Sequence, residues 1–180
     1  SFNKVHNNSS YGIYLDSASG CQVLNNESWA NAQVYQRAAS GIRLYASTQN
    51  VVSANDTHDN EDSGIEIYTN SNNNLITDNV SYNNGDHGID NYSSTGNRII
   101  SNSVYKNVTA GINAEGGSTG TTIANNISVD NGINSPRTHS DIRVDAASIS
   151  GTTMDYDLVH LTTADVVLIW NSVNYRSLAA

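Results

Sequence analysis

A tetrapeptide of the form Gly-Ile-x-aliphatic returns along the chain, and its spacing limits the possible folds more than any other feature. The copies and near-copies lie at residues 12–15, 41–44, 64–67, 88–91, 111–114 and, in degenerate form, 141–144. The steps between them are 29, 23, 24, 23 and 30 residues. Repeats built from helical hairpins need about 33 residues or more and helix-forming segments. A period near 23 therefore indicates a solenoid of strands.

Each period contains three short segments in which apolar and polar residues alternate, separated by Asn, Gly and Ser. Such segments predict strands divided by tight turns, and stacked repeats of this kind build parallel sheets. We expect an all-β fold of about seven coils with three short parallel sheets. Most of the 27 asparagines have a structural explanation. Asn tolerates left-handed turns, and stacked Asn side chains can hydrogen-bond along a column.

The composition excludes some partners and indicates a location. The formal net charge is −9, which argues against binding to nucleic acid or to an anionic membrane, since both need a basic surface. No segment approaches the roughly 18 apolar residues of a membrane span. Cys21 is the single cysteine, so no internal disulfide is possible. These features fit an extracellular or cell-surface protein.

The combined pattern resembles a known family. An apolar pair, Asn, a short apolar segment, a second Asn and then Gly-Ile-x-aliphatic is similar to the right-handed parallel β-helix repeat of pectate-lyase-like proteins, over roughly residues 1–145. The segment from Asp155 to Leu178 is similar to the closing part of many secreted β-helix proteins. The resemblance implies a secreted, carbohydrate-associated β-helix. The same fold carries lyases, hydrolases, epimerases and non-catalytic spacers, so the activity has to be argued from the site residues.

The domain organisation follows from the same repeat. We expect residues 1–180 to form one β-helix domain in which 150–180 are a closing coil or cap, since 166–170 is the most apolar stretch. The chain begins inside a repeat and shows no comparable N-terminal cap. We therefore expect a piece of a longer secreted protein, with a flanking domain or a second copy covering the first coil, because exposed terminal coils leave sticky sheet edges.

Two columns of residues should point outward from the Gly-Ile strands, because the Ile and the aliphatic residue point inward. They are candidates for substrate binding and catalysis, since sugars stack on aromatic rings and hydrogen-bond to carboxylate and guanidinium groups. Stacked Tyr residues and surface ion pairs are also ordinary sheet contacts. The first column is Tyr14, Arg43, Glu66, Asp90, Asn113 and Arg143; the second is Asp16, Tyr45, Tyr68, Tyr92, Glu115 and Asp145.

Two insertions fall in the same turn, just before a Gly-Ile strand. One runs over residues 29–40 and carries Arg37; the other runs over 132–140 and carries Arg137. We expect them to wall a groove on coils 2–5, floored by the two columns, because loops on a rigid scaffold usually carry function. His87 lies at the edge of this groove and is its best titratable group.

Three reactions on a polysaccharide remain open. Hydrolysis would use Glu66 and Asp90, which lie on neighbouring coils at about the separation of a retaining pair. β-Elimination on a uronate would use His87 or a Tyr as base, with Arg43, Arg37 or Ca²⁺ neutralising the carboxylate. Epimerisation would begin in the same way and return the proton to the opposite face. The pair Asp86-His87 resembles part of the site of alginate epimerases, although the rest of that motif is absent, as is the Lys and Arg arrangement of pectate lyases.

The alternative function is non-catalytic: a carbohydrate-binding or cell-surface spacer segment. In this alternative the Tyr residues bind glycan, and the carboxylates only keep the surface of the β-helix hydrated. No cofactor is firmly predicted, and no metal ligand is assigned. Ca²⁺ is the one candidate, because Asp56, Asp59, Glu61 and Asp62 fall in one turn and Ca²⁺ prefers oxygen ligands. We favour a simpler explanation, in which these residues form a solvated acidic turn.

Overall fold

The computed structural model describes residues 1–32, 39–133 and 135–178 and shows a parallel β-helix. Its 21 strands form three parallel sheets, and every third strand falls in the same sheet up to β20. This arrangement gives seven coils, and it confirms the predicted fold class. In the described part of the chain we find no helix, and hence none long and apolar enough to cross a membrane.

The strands are short, mostly three residues, and their bounds follow the repeat. Sheet 1 contains β1 (Lys4–His6), β4 (Glu27–Trp29), β7 (Asp56–His58), β10 (Val80–Tyr82), β13 (Ser103–Tyr105), β16 (Ile127–Val129) and β19 (Leu158–His160). Sheet 2 contains β2 (Ile13–Asp16), β5 (Ile42–Tyr45), β8 (Ile65–Tyr68), β11 (Ile89–Tyr92), β14 (Ile112–Glu115), β17 (Ile142–Val144), β20 (Leu168–Trp170) and β21 (Val173–Tyr175). Sheet 3 contains β3 (Gln22–Leu24), β6 (Val51–Ser53), β9 (Leu75–Thr77), β12 (Arg98–Ile100), β15 (Thr122–Ala124) and β18 (Thr153–Asp155).

The Gly-Ile repeat forms the core-facing part of sheet 2. The isoleucines from Ile42 to Ile142 in this position are fully buried, each stacked on the same residue of the next coil. The preceding glycine is required by close approach: a Cβ on Gly88 would lie 2.6 Å from the carbonyl oxygen of Gly111. The repeat therefore places the Ile side chain in the core and a glycine, which has no side chain, in the turn just before it.

Asparagine side chains connect the coils in hydrogen-bonded ladders, as predicted. The backbone and side-chain nitrogens of Asn26 both donate to Asn55 Oδ1, at 3.0 and 2.9 Å, and Asn79 does the same to Asn102. All donors point the same way along the stack. Two of the ladders end on a carboxylate, where Asn131 donates to Asp141 and Asn126 donates to Asp157. The third ladder, of Asn50, Asn74 and Asn97, ends instead on the side chain of Asn91.

The left-handed backbone positions differ from those we expected. The residue with positive φ is the one before the ladder asparagine, as at Ala54 (55°), Asp78 (56°) and Ser101 (58°). Asn itself is not needed there, because several residue types occupy the position. The ladder asparagines are thus selected for their side-chain hydrogen bonds rather than for a left-handed conformation.

The last coil departs from the regular pattern. Strand β20 continues sheet 2 in parallel beside β17, and β21 then turns back and pairs with β20 in antiparallel fashion. Leu168 and Trp170 pack against the end of the apolar core. An antiparallel return of this kind supplies the terminal strand with a partner that a further coil would otherwise provide.

Candidate functional site

Sheet 2 aligns the predicted columns in register. Arg43, Glu66, Asp90, Asn113 and Arg143 are partners on consecutive strands. The turn before this sheet adds a further column, in which Asp86 N donates to Asp62 O and Thr109 N donates to Asp86 O. We call the side chains that these columns bring together the polar cluster. It comprises Arg43, Asp62, Glu66, Asp86, His87, Asp90, Thr109, Asn113, Glu115, Arg137 and Arg143.

The floor of the polar cluster is buried, which the outward orientation of the column did not predict. Glu66 and Asp90 are 6% and 8% exposed, and Asn113 is inaccessible. The side chains of Glu115, Arg137 and Arg143 keep 28%, 36% and 23% of their surface exposed. Solvent therefore reaches the cluster at these three residues rather than along the whole column.

Glu66 is bonded toward the second coil. Its Oε2 accepts hydrogen bonds from Ser40 Oγ at 2.7 Å and from Arg43 Nη1 at 3.1 Å. The Arg43 guanidinium also lies over the Tyr68 ring, 4.1 Å from its centre, and donates to the Tyr11 hydroxyl at 2.8 Å. Burial raises the pKa of Glu66, and Arg43 and Ser40 oppose that rise. Glu66 thus serves as the partner of a half-buried arginine.

Asp90 is bonded in the opposite direction, toward the fifth coil. Its Oδ1 accepts from Asn113 Nδ2 at 2.8 Å, and Arg143 donates in turn to Asn113 Oδ1 and to Glu115. Burial raises the pKa of Asp90 well above its ordinary range, and the nearby carboxylates of Glu115 and Glu66 raise it further. The raised pKa favours the protonated form of Asp90, which can act as a proton donor.

His87 and Asp86 lie side by side in the turn of the fourth coil. His87 is 5% exposed, and its Nε2 is 3.4 Å from Asp86 Oδ1. Burial lowers the pKa of His87, so its ring is neutral at pH 7. Burial raises the pKa of Asp86. Its interactions with His87, Thr109 and Arg137 lower that pKa by more, so the net shift is downward.

Arg137 and Asp62 complete the surroundings of Asp86. Arg137 Nη2, on the second insertion, lies 2.6 Å from Asp86 Oδ1. The Asp62 carboxyl group is hydrogen-bonded to Asp86, and burial together with Glu66 and Asp86 raises the pKa of Asp62 to about 7. The polar cluster has five carboxyl groups and three guanidinium groups. The raised pKa values of Asp62 and Asp90 favour their neutral forms, which reduces the repulsion between the carboxyl groups.

Three residues of the cluster have the donor atoms of a cation site. Among the described residues, a ring nitrogen of His87 and carboxylate oxygens of Asp90 and Glu115 lie within 4.8 Å of one another. Each of them already has a protein partner, in Thr109, Asn113 and Arg143 respectively. The acidic turn that suggested Ca²⁺ is dispersed, because Asp59 pairs with His58 while Asp62 faces Asp86.

The tyrosine strip forms, but both ring faces of its central residue are occupied. Tyr45 stacks on Tyr68 with 6.2 Å between ring centres, and Tyr68 stacks on Tyr92 with 5.0 Å. Tyr68 consequently offers its ring edge and hydroxyl group, rather than an open face, to a bound molecule. A second stack with the same geometry lies on sheet 1, formed by His6, Trp29, His58, Tyr82 and Tyr105.

The predicted site residues thus fall into three groups. Glu66, Asp90, His87, Arg43, Asn113 and Arg137 meet in the polar cluster, and Tyr45, Tyr68 and Tyr92 flank it. Arg37 lies outside the residues that the structure describes. Sequence reasoning missed Thr109, Ser40 and Tyr11. Thr109 had one usable signal, since it follows Asp62 and Asp86 at the repeat spacing.

Comparison with known proteins places this chain among β-helix proteins. A family model described as "Right handed beta helix region" matches residues 1–128. No curated protein sequence matches the chain.

Solved structures with a similar fold include three that carry informative names. The periplasmic alginate epimerase AlgG aligns with a TM-score of 0.74 and 18% identity, over 90% of this chain and 39% of AlgG. The Dettilon tailspike protein aligns with a TM-score of 0.64 and 19% identity, over 86% of this chain and 40% of the tailspike. The pectate lyase Pel9A aligns with a TM-score of 0.59 and 17% identity, over 84% of this chain and 48% of the lyase. The chain spans less than half the length of each.

Proposed function

The chain belongs to the family defined by a right handed beta helix region, and from that premise we propose that it acts on an acidic polysaccharide by moving protons on a uronate residue. The observation that carries this proposal is the closeness of His87 and Asp90, since a ring nitrogen of His87 and a carboxylate oxygen of Asp90 lie within 4.8 Å of each other. A neutral His87 can accept a proton, and a protonated Asp90 can donate one. Environments that push two pKa values apart are the mark of an acid and a base.

The proposed reaction begins at the carbon that bears the substrate carboxyl group. His87 takes the proton from this carbon, and the electron pair left behind delocalises into the carboxyl group, whose charge Arg143 and Arg137 stabilise. In β-elimination the oxygen on the neighbouring carbon leaves with a proton from Asp90. In epimerisation Asp90 delivers its proton to the opposite face of the same carbon. Both courses conserve protons and need no oxidant.

Two further observations support the choice. The rim of the polar cluster carries Arg137 and Arg143 at the point where solvent enters, which suits an anionic sugar. Two proteins of similar fold are named for action on alginate and pectate. Because AlgG is named as periplasmic, we also infer that this chain works outside the cytoplasm.

Hydrolysis by Glu66 and Asp90 is less favoured. The two carboxyl groups are bonded toward opposite ends of the stack, Glu66 to Ser40 and Arg43, and Asp90 to Asn113. The pKa of each is raised, whereas a retaining mechanism needs one ionised nucleophile beside one acid.

A screen of the purified chain against alginate, pectate and neutral polysaccharides tests the proposal. Elimination is followed by the absorbance of unsaturated uronates, epimerisation by proton exchange in D₂O, and hydrolysis by new reducing ends. We expect turnover of an acidic polymer that falls about 10²-fold or more in His87→Gln and in Asp90→Asn. Tyr82→Phe, on sheet 1, is the matched control and should retain full activity. Activity confined to neutral polymers would contradict the proposal.

A non-catalytic glycan-binding or spacer role is the second candidate, and burial is the observation that favours it. His87 and Asp90 are almost inaccessible in this structure, so a substrate has to displace part of the rim to reach them. If no polymer is turned over, but one binds in calorimetry and binding is lost in Tyr68→Ala and kept in Tyr82→Ala, this second function replaces the first.

A further inference from the structure

Thr109 occupies the turn of the fifth coil, directly beside the Asp86–His87 pair, and it is fully buried. Its Oγ1 lies 2.5 Å from Asp86 Oδ1 and 2.7 Å from His87 Nδ1. A threonine hydroxyl has one hydrogen to donate and two lone pairs to accept with. These two short contacts therefore cannot both use the hydroxyl hydrogen.

The direction of the two hydrogen bonds follows from counting hydrogens. An ionised Asp86 can only accept, so Thr109 donates its hydrogen to Asp86 Oδ1. The 2.7 Å contact with His87 Nδ1 then requires a hydrogen on that nitrogen. The carbonyl oxygen of Ala110, an acceptor only, lies 3.3 Å from the same nitrogen and agrees with this assignment.

We propose that Thr109 is a positioning residue that holds neutral His87 in the tautomer with hydrogen on Nδ1, leaving the Nε2 lone pair free to accept a proton. The catalytic role of this tautomer rests on the proposed function, because a base needs an unprotonated nitrogen of fixed identity and orientation. When Nε2 takes a proton, Asp86 Oδ1 at 3.4 Å stabilises the imidazolium ion. The chain Asp86–Thr109–His87 thus selects which nitrogen does the chemistry.

The neighbouring coils show that the arrangement is specific to this place. The residues that precede Gly-Ile in the flanking coils, Ser63 and Ala110, are small, and only the fourth coil has an imidazole there among the described copies of the repeat. In the turn column, the third coil has Asp62 where the fifth has Thr109. An ionised carboxylate in place of Thr109 would accept from His87 but could not donate to Asp86.

The tautomer is directly measurable and needs no substrate. In ¹⁵N-histidine-labelled protein, the imidazole nitrogens of His87 are assigned by comparison with His87→Gln. We expect a protonated Nδ1 and an unprotonated Nε2 at neutral pH. Thr109→Val, which keeps the shape and removes the hydroxyl group, should give a mixture of tautomers or the Nε2-protonated form. Thr109→Ser should restore the native spectrum.

The outcomes separate this inference from the proposed function. An Nε2-protonated His87 in the native protein, or an unchanged tautomer in Thr109→Val, would overturn the inference even if activity is found. The expected tautomer without turnover of any polymer would leave the hydrogen-bond assignment intact and refute the proposed function. If the expected tautomer and turnover of an acidic polymer are both found, Thr109→Val should lower kcat about 10²-fold with little change in KM. Thr109→Ser should then recover most of the loss. Should Thr109→Val fail to fold, the native spectrum and Thr109→Ser still decide the assignment.

Discussion

Arg137 Nη2 lies 2.6 Å from Asp86 Oδ1, so an ion pair joins the second insertion, in coil six, to the turn of coil four. The arginine reaches past coil five to make this contact. It therefore connects the rim of the polar cluster to the carboxylate beside His87, and it contributes to the low pKa of Asp86.

Replacing Arg137 should weaken both the insertion and the site. In Arg137→Met we expect a loss of about 1 kcal/mol, the upper range for a partly exposed pair, or about 2–4 °C in the melting temperature. Activity on an acidic polymer should fall, because the rim loses a cation. Thermal unfolding and turnover assays measure the two effects.

Arg176→Met is the matched control for Arg137→Met. Arg176 pairs with Asp165 at 3.8 Å, and its side chain is 70% exposed. We expect a change within about 0.5 kcal/mol, as for most surface substitutions. Equal losses in the two variants would show that the Arg137–Asp86 pair has no special part in the fold.

Asp90 makes the protein less stable as pH rises. Its pKa is raised in the folded state, so the folded chain holds a proton that the unfolded chain has released above about pH 4. Stability is therefore lost as pH rises toward the folded pKa. Asp90→Asn removes this dependence, and in urea unfolding the variant should gain stability relative to the native protein as the pH rises above about 4. A constant difference across this range would contradict the assignment.

Asp141 carries the same effect at the end of an asparagine ladder. Burial is the main cause that raises the pKa of Asp141 to about 6, and its Oδ2 has no hydrogen-bond partner. The gap from 3.8 to about 6 corresponds to roughly 3 kcal/mol at ~1.4 kcal/mol for each pH unit. Asp141→Asn should therefore become more stable than the native protein, by up to this amount, as pH rises from 4 to 7.

An exposed carboxylate provides the comparison for Asp141. Asp78 lies in a turn and is exposed, so Asp78→Asn, as a surface substitution, should stay within about 0.5 kcal/mol of the native stability curve. If Asp141→Asn also follows it, the ladder tolerates a buried carboxylate without cost, and the end of the ladder does not contribute to pH-dependent stability.

Tyr68 should contribute to glycan binding through its hydroxyl group rather than through its ring face. Arg43 and Tyr92 cover the ring at 4.1 and 5.0 Å. In Tyr68→Phe we expect about a fivefold loss of affinity, the equivalent of one hydrogen bond of about 1 kcal/mol, with an unchanged melting temperature. Tyr82→Phe is the control, and calorimetry with a bound oligosaccharide is the measurement. An affinity unaffected by Tyr68→Phe would remove the strip from the binding site.

The repeat made the backbone of the fold predictable. Gly-Ile copies such as Gly64-Ile65 and Gly88-Ile89 align strands of sheet 2 because each Ile needs the core and each Gly needs a close neighbour. The register of Arg43, Glu66 and Asp90 followed at once, since residues at equal positions in a parallel solenoid become partners.

The chemistry within the columns was not predictable in the same way. Spacing shows that Glu66 and Asp90 are neighbours. It does not show that Glu66 bonds to Ser40 in the second coil while Asp90 bonds to Asn113 in the fifth. Those choices depend on side-chain rotamers and on what covers each group. The pKa directions depend on burial, which no periodicity reveals for an outward-facing position.

The sequence by itself determined the coils, the three sheets, the asparagine ladders and the candidates Glu66, His87 and Asp90, because all of these depend on a repeated local pattern. Only the tertiary structure decided that Asp90 is buried and has a raised pKa, that Arg137 reaches Asp86, and that Thr109 lies between Asp86 and His87. The physical reason is that these contacts join side chains from turns 22 to 51 residues apart along the chain. Their free energies depend on distances of a few ångströms and on exclusion of water.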